Sequence, residues 1–156
     1  MTKPLYIFDL DGTLALIQHR RHFVENRANR WTEFYKACIG DAPNKPIIEI
    51  FQTLVEYGAE VRIWSGRSDE VRAETIAWLN QHVFMGAFRP GCLPCDLTMR
   101  KAGNYTADDV LKATWFFSLP TEDKLRLVAI FDDRDRVVNM WRSLGITCLQ
   151  VAPGEF

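Results

Sequence analysis

The sequence predicts an α/β fold: a three-layer, Rossmann-like open parallel sheet with a small helical cap insert after the first strand. Two observations carry this. Short apolar runs rich in strand formers alternate with helical patterns along the chain. Three of those runs also break abruptly into polar residues. Residues 5–8 run into Asp9-Leu10-Asp11-Gly12-Thr13, residues 61–64 into Ser65-Gly66-Arg67, and residues 127–131 into Asp132-Asp133. Continuous apolar strands suit a parallel sheet buried on both faces, whose carboxyl ends carry the chemistry. Segments 96–100 and 147–151 are expected to complete the sheet.

The helices follow from apolar spacing and end signals. Pro46 at a first-turn position precedes Ile47, Ile48, Ile50, Phe51, Leu54 and Val55, with Gly58 as the stop. Residues 69–81 form a second helix, with Val71, Ile76, Trp78 and Leu79 facing inward. Residues 106–117 form a third, opened by Thr106 and Asp109 as a capping box with Asp in place of Glu. Residues 135–144 form a fourth, closed by Gly145. Residues 14–44 differ: they are rich in Arg and Asn, carry the aromatics Trp31, Phe34 and Tyr35, and suggest one short helix over about 31–39.

The 156 residues, 47% hydrophobic and 25% charged, fit one globular domain over 1–156, with the insert at about 14–44. A formal charge of −1 gives no global attraction to nucleic acid or acidic membranes, so an anionic ligand requires a local basic patch. The apolar run after Met1-Thr2-Lys3-Pro4 stops at Asp9, too short for a signal-peptide core or a membrane span. A cytoplasmic location is the expectation, the host's if the chain is phage-encoded. Of the cysteines at 38, 92, 95 and 148, only Cys92 and Cys95 have metal or redox spacing. They lack a second Cys/His pair and sit in a Gly/Pro-rich stretch, so reduced structural thiols are expected.

Asp9 and Asp11 are two apart at a strand end, so both can face one pocket while Leu10 turns to the core. Adjacent carboxylates repel, and an oxygen-preferring divalent cation relieves that repulsion while neutralising a phosphate. One carboxylate can attack phosphorus and its neighbour can protonate the leaving oxygen. A calcium loop would need Glu at its twelfth position, where Arg20 stands. Ser65 and its neighbouring N–H groups can hold a phosphate oxygen, and Asp132-Asp133 can supply a further metal ligand. Convergence of three polar strand ends is a poor product of chance.

These residues resemble the haloacid dehalogenase superfamily of phosphohydrolases, and more closely the 3′-phosphatase domain of bacteriophage polynucleotide kinase/phosphatase. The matching pieces are residues 8–15, Ser65-Gly66-Arg67, residues 108–112, and the tail from Asp132 through Met140-Trp141-Arg142 to Ala152. The resemblance implies roles by position. Asp9 is the nucleophile and a Mg²⁺ ligand. Asp11 is the general acid/base, with its backbone carbonyl on the metal. Ser65 and Lys112 bind the transferring phosphoryl group. Arg20 and Arg67 surround the scissile phosphate, and Asp108 orients Lys112 or Arg20. Either Asp132 or Asp133 binds the Mg²⁺ directly. A one-residue shift would exchange Arg20 with Arg21, and Lys101 and Lys124 are the fallback lysines. His19, His22 and His82 show no partner pattern, and Trp141 reads as core.

The insert leaves room for one or two short helices, so the pocket mouth stays open enough for a polymer end. Arg20, Arg21, Arg27 and Arg30 beside Trp31 combine charge with a stacking surface; a solvated basic face is the competing account. Removal of 3′-terminal phosphates from DNA or RNA is the leading expectation. A phosphatase of free nucleotides or small metabolites, and an end-binding module with dispensable catalysis, are the alternatives. No Gly-x-x-x-x-Gly-Lys-Ser/Thr loop occurs, so 5′-kinase chemistry is not encoded in this chain. A separate kinase or ligase partner has no sequence feature in its support.

Overall fold

The computed structural model describes residues 2–86 and 94–155. Five parallel strands form one sheet: β1 (Leu5–Phe8), β4 (Glu60–Ser68), β5 (Leu97–Arg100), β6 (Leu127–Asp132) and β7 (Cys148–Gln150), in the order β5-β4-β1-β6-β7. The strand order reverses on either side of β1, so the crevice beyond the carboxyl end of β1 is where a site is expected in such a sheet. The α/β architecture read from the sequence is the one observed.

Strand alternation divides the core between the two faces. Phe8, Val61, Ile63, Leu97 and Phe131 pack against α2 (Lys45–Glu56) and α3 (Arg72–His82), with Phe8 stacked 4.1 Å from Phe131 and edge-on to Phe51 at 5.1 Å. Leu5, Ile7, Trp64 and Ile130 pack on the other face against α4 (Asp108–Phe117) and α6 (Asp135–Ser143). Trp141 sits fully buried there, 6.1 Å from Trp64, as its helical spacing implies.

The boundaries differ from the sequence reading where tertiary partners override local pattern. β4 continues through Ser65-Gly66-Arg67-Ser68 because β5 pairs with it that far, Ser68 opposite Arg100. A turn of 3₁₀ helix over Asp69–Val71 precedes α3, and Ser68 caps it by accepting from the Glu70 N–H. The Thr106–Asp109 capping box does not form. Helix α4 starts at Asp108 without a side-chain cap, and the Thr106 N–H donates instead to Asn104 Oδ1 at 2.9 Å. Helix α5 (Thr121–Arg126) has no apolar stripe and was not expected; no residue in it is buried.

The insert holds a two-stranded antiparallel ribbon, β2 (Ala15–Leu16) with β3 (Ala42–Pro43), a 3₁₀ turn over Gln18–Phe23, and α1 (Trp31–Lys36) running into a second 3₁₀ turn over Ala37–Gly40. Asn44 fastens its exit to its entrance: the side-chain amide donates to the Thr13 carbonyl at 2.8 Å and the backbone N–H to Leu14 at 2.9 Å. Cys38, Cys95 and Cys148 are free thiols, and Cys92 lies outside the described residues. Among the described residues, no helix is long and apolar enough to cross a membrane.

Candidate active site

The carboxyl ends of β1, β4 and β6 converge on one pocket of about 680 Å³, walled on the outside by the insert and by the loop between β5 and α4. Asp9, Asp11, Arg67, Lys112, Asp132 and Asp133 all border it. The acidic half gathers Asp9, Asp132 and Asp133, all buried, with one carboxylate oxygen of each within 4.8 Å of the others. Lys112 crosses from α4 to reach this group, donating to Asp9 Oδ1 at 2.8 Å and Asp132 Oδ2 at 2.7 Å. Burial and the repulsion of Asp132 and Asp133 push the Asp9 carboxyl well above its ordinary range, against the pull of Lys112. Burial, then Asp132, push Asp133 up to about 7.

Gly12 makes this approach possible. Its φ of +83° is costly for a residue with a side chain, and a Cβ there would lie 2.0 Å from Asp133 Oδ2. The Asp133 carboxylate therefore sits against the bare backbone of Gly12. Asp132, by contrast, is spent: Oδ2 on Lys112, and Oδ1 accepting from the N–H groups of Asp133 and Arg134.

The second half is built around Asp11. One of its oxygens accepts from Arg20 at 2.7 Å and from Arg67. Burial alone would raise the Asp11 carboxyl, but the Arg67 and Arg20 guanidiniums outweigh it and hold the group below its ordinary range. Behind the arginines stands Asp41, which takes Arg20 Nε and Nη2 on separate oxygens at 2.7 Å and Arg67 Nη2 at 3.0 Å. His19 also contacts Asp41 at 2.9 Å, and the Arg20 guanidinium lies 4.2 Å from the centre of the Phe34 ring.

The sequence reading missed Asp41 and His19. A signal existed: a buried arginine needs a carboxylate partner, and only Glu25, Glu33 and Asp41 are acidic between residues 14 and 44. Of the two adjacent arginines, Arg20 enters the site, whereas Arg21 pairs with Glu25 on the pocket wall. The basic stretch is not one face, since Arg30 pairs with Glu33, and neither Arg27 nor Arg30 borders the pocket. Lys124 donates to the Phe117 carbonyl and is not at the pocket.

Two further residues stand differently from expectation. Asp108 hydrogen-bonds neither Lys112 nor Arg20. Its carboxylate pairs with Arg100 and Arg134, because the start of α4 abuts the ends of β5 and β6 while Lys112, one turn on, points inward. Ser65 is fully buried at the end of β4, its Oγ accepting from the Arg67 N–H at 3.1 Å, and the pocket wall there is Gly66, Arg67 and Ser68.

Across residues 3–156 the sequence matches the family model of the polynucleotide kinase PNKP phosphatase domain. It is 27% identical over 139 residues to a protein assigned as a bifunctional polynucleotide kinase/RNA ligase in Autographa californica nuclear polyhedrosis virus, spanning 88% of this chain and 18% of that one. A chain in the structure of the Pnkp1/Rnl/Hen1 RNA repair complex superposes with a TM-score of 0.76 at 27% identity, over 99% of this chain and 44% of that one. A second structure of a Pnkp1/Rnl/Hen1 complex gives 0.75 at 28% identity, over 99% and 47%. A hydrolase from Streptococcus pneumoniae TIGR4, 12% identical with a TM-score of 0.57 over 98% of this chain and 95% of its own, shares the fold alone. The chain thus spans less than a fifth of the viral relative and under half of the chains in the repair complexes.

Proposed function

Because the chain belongs to the family of polynucleotide kinase phosphatase domains, we propose that it is a Mg²⁺-dependent phosphomonoesterase that removes the 3′-terminal phosphate from DNA or RNA ends. The supporting observation is the pairing, in one pocket, of an acid-rich half short of positive charge with an arginine half poised around Asp11. The family's phosphatases generally use Mg²⁺. The residues fit the ion: three converging carboxylates, two of them raised by burial and mutual repulsion, and a bare-backbone niche at Gly12 beside Asp133. Asp9, Asp133 and the Asp11 carbonyl would hold it, with Asp132 committed to Lys112. Bound there, Mg²⁺ would offset the charge of the phosphate and of the attacking carboxylate.

Asp9 attacks phosphorus, and the bond from phosphorus to the 3′-oxygen breaks as that to Asp9 forms. Asp11 gives its proton to the departing 3′-oxygen, then takes one from the water that attacks the aspartyl-phosphate, releasing phosphate and restoring Asp9. Before substrate arrives, Arg20 and Arg67 hold Asp11 anionic. An incoming phosphate competes for the same guanidiniums, which loosens that hold and favours the protonated acid. Lys112, which borders the pocket beside Asp9, stabilises the equatorial phosphoryl oxygens. A place in nucleic-acid end repair follows from this substrate.

Phosphate release with and without Mg²⁺ from a 3′-phosphorylated oligonucleotide, a 3′-mononucleotide and a 5′-phosphorylated oligonucleotide tests the proposal. The first is expected to be the best substrate, only with Mg²⁺, and Asp9→Asn to turn over none. Equal or faster hydrolysis of the 5′ end would sink the 3′ assignment. Surviving turnover in Asp9→Asn would overturn the nucleophile.

A further inference from the structure

The pocket is much larger than a phosphate group requires. At about 680 Å³ it lies within the range of roughly 300–1,000 Å³ typical of sites that enclose a whole small molecule. The buried charges Asp9, Arg67, Lys112, Asp132 and Asp133 line it, and so do exposed and half-buried aromatic side chains from two separate elements. From the insert come Trp31 and Tyr35, one helical turn apart on α1, their rings 6.0 Å from each other. From the loop between β5 and α4 comes Tyr105.

Tyr105 is 89% exposed and Trp31 41% exposed, high values for large rings at the mouth of a cavity. The loop beneath Tyr105 is nevertheless firmly held. Arg100 donates to the carbonyls on either side of it, Asn104 at 3.1 Å and Thr106 at 2.6 Å. The Asn104 side chain accepts the Thr106 N–H at 2.9 Å, and Asp69 accepts the Ala102 N–H at 2.9 Å. Among the described residues the Tyr105 ring stacks on nothing and its hydroxyl has no hydrogen bond. A fixed backbone thus presents an unused ring. Trp31 and Tyr35 on α1 and Tyr105 on the loop line the same pocket from these two separate elements.

We propose that this rim is a nucleobase slot, in which Trp31 and Tyr105 stack on the terminal base of a single-stranded nucleic acid end while its phosphate sits among the buried charges. The inference deepens the proposed function and rests on it for the identity of the phosphate. Aromatic faces accept any base, so the slot reads the presence of a base rather than its sequence. Strand ends held in a duplex, their last base stacked and paired, bind less well.

Binding separates this slot from the catalytic assignment. On an Asp9→Asn background, calorimetry compares a short 3′-phosphorylated oligonucleotide with the same strand lacking only its terminal base. The intact strand is expected to bind more tightly by about 5- to 150-fold, the range for one base–aromatic stack. Tyr105→Ala and Trp31→Ala each shrink that ratio towards one by weakening the intact strand alone, and Tyr105→Phe and Trp31→Phe restore it. Tyr105→Ala cannot fail by misfolding, since its side chain supports nothing else. Equal binding of the two strands to the parent, or equal weakening of both by the alanine variants, overturns the slot. A 5′-phosphorylated strand that binds and turns over better while the base dependence persists overturns the 3′ assignment and leaves the slot standing.

Discussion

The two halves of the site are both buried clusters of charge, yet they are balanced in opposite ways. Around Asp9, three carboxylates face a single ammonium, and burial with mutual repulsion lifts Asp9 and Asp133 above their ordinary range. Around Asp11, the guanidiniums of Arg20 and Arg67 meet the carboxylates of Asp11 and Asp41, and Asp11 is pushed the other way. Burying a charge is tolerable only when it is paired and hydrogen-bonded. The arginine half meets the charge condition within the chain, two guanidiniums against two carboxylates, although Arg67 Nε is buried without a hydrogen-bond partner among the described residues. The acid half does not, and its shortfall is the physical reason to expect a cation there.

If that contrast is right, removing a carboxylate has opposite consequences in the two halves. The largest effect is expected from Asp41→Ala, which leaves two buried guanidiniums with Asp11 as their remaining carboxylate. Stability should fall by about 3–5 kcal/mol, the cost of breaking a buried pair from one side, read from denaturant unfolding. A loss under about 1 kcal/mol would mean that the arginine half is not held by charge balance.

The next effect has the other sign. Asp133 is raised from 3.8 to about 7 in the folded chain, so between these values the folded state binds more protons than the unfolded. The metal-free protein therefore loses stability as pH rises through that window. Asp133→Asn should reduce this slope, leaving the part carried by Asp9, and stabilise the metal-free protein at pH 8, on the order of 1–3 kcal/mol. Mg²⁺ should raise the Tm of the parent more at pH 8 than at pH 5, because the proton competes with the cation, and the variant should lose most of that response. A variant less stable than the parent at pH 8 without Mg²⁺ would show that the acid half carries no surplus charge.

How much of this was legible in the sequence follows the same division. Asp9, Asp132, Asp133 and Arg67 sit at or just past strand ends, and in a parallel sheet a local pattern of apolar run and polar break places such residues at one edge. Asp41 lies in the insert, at the turn before a two-residue strand, with no periodic pattern to mark it; only the need of a buried Arg20 for a partner pointed there. For Asp108 the resemblance offered Lys112 or Arg20 as the group it orients, and no local pattern marked the partners it takes. Those are Arg100 and Arg134, distant in sequence, in a half-buried setting. Thr106 has no capping role because its N–H, which Asp109 would accept in a capping box, donates to Asn104 Oδ1, and α4 starts only at Asp108.

The smallest effect tests whether the two halves can be disturbed apart from the pocket wall. Gly66 lies in β4 with its carbonyl accepting from Arg100 Nε at 2.7 Å, and a Cβ there would stand 2.6 Å from Asp108 Oδ1. That oxygen is the end of a flexible side chain, so Gly66→Ala displaces a carboxylate rather than the sheet. The cost is one partly exposed ion pair, about 0.2–1 kcal/mol. Neither Asp9 nor Asp11 hydrogen-bonds to Asp108, so the Mg²⁺-induced rise in Tm and kcat on a 3′-phosphorylated oligonucleotide should be unchanged. KM should rise by about two- to fivefold, since Arg100 also pins the loop that carries Tyr105. A kcat that falls while KM holds would instead tie Asp108 to the reacting groups, and the division of the site into a balanced half, a charge-deficient half and a separate binding rim would fail at that residue.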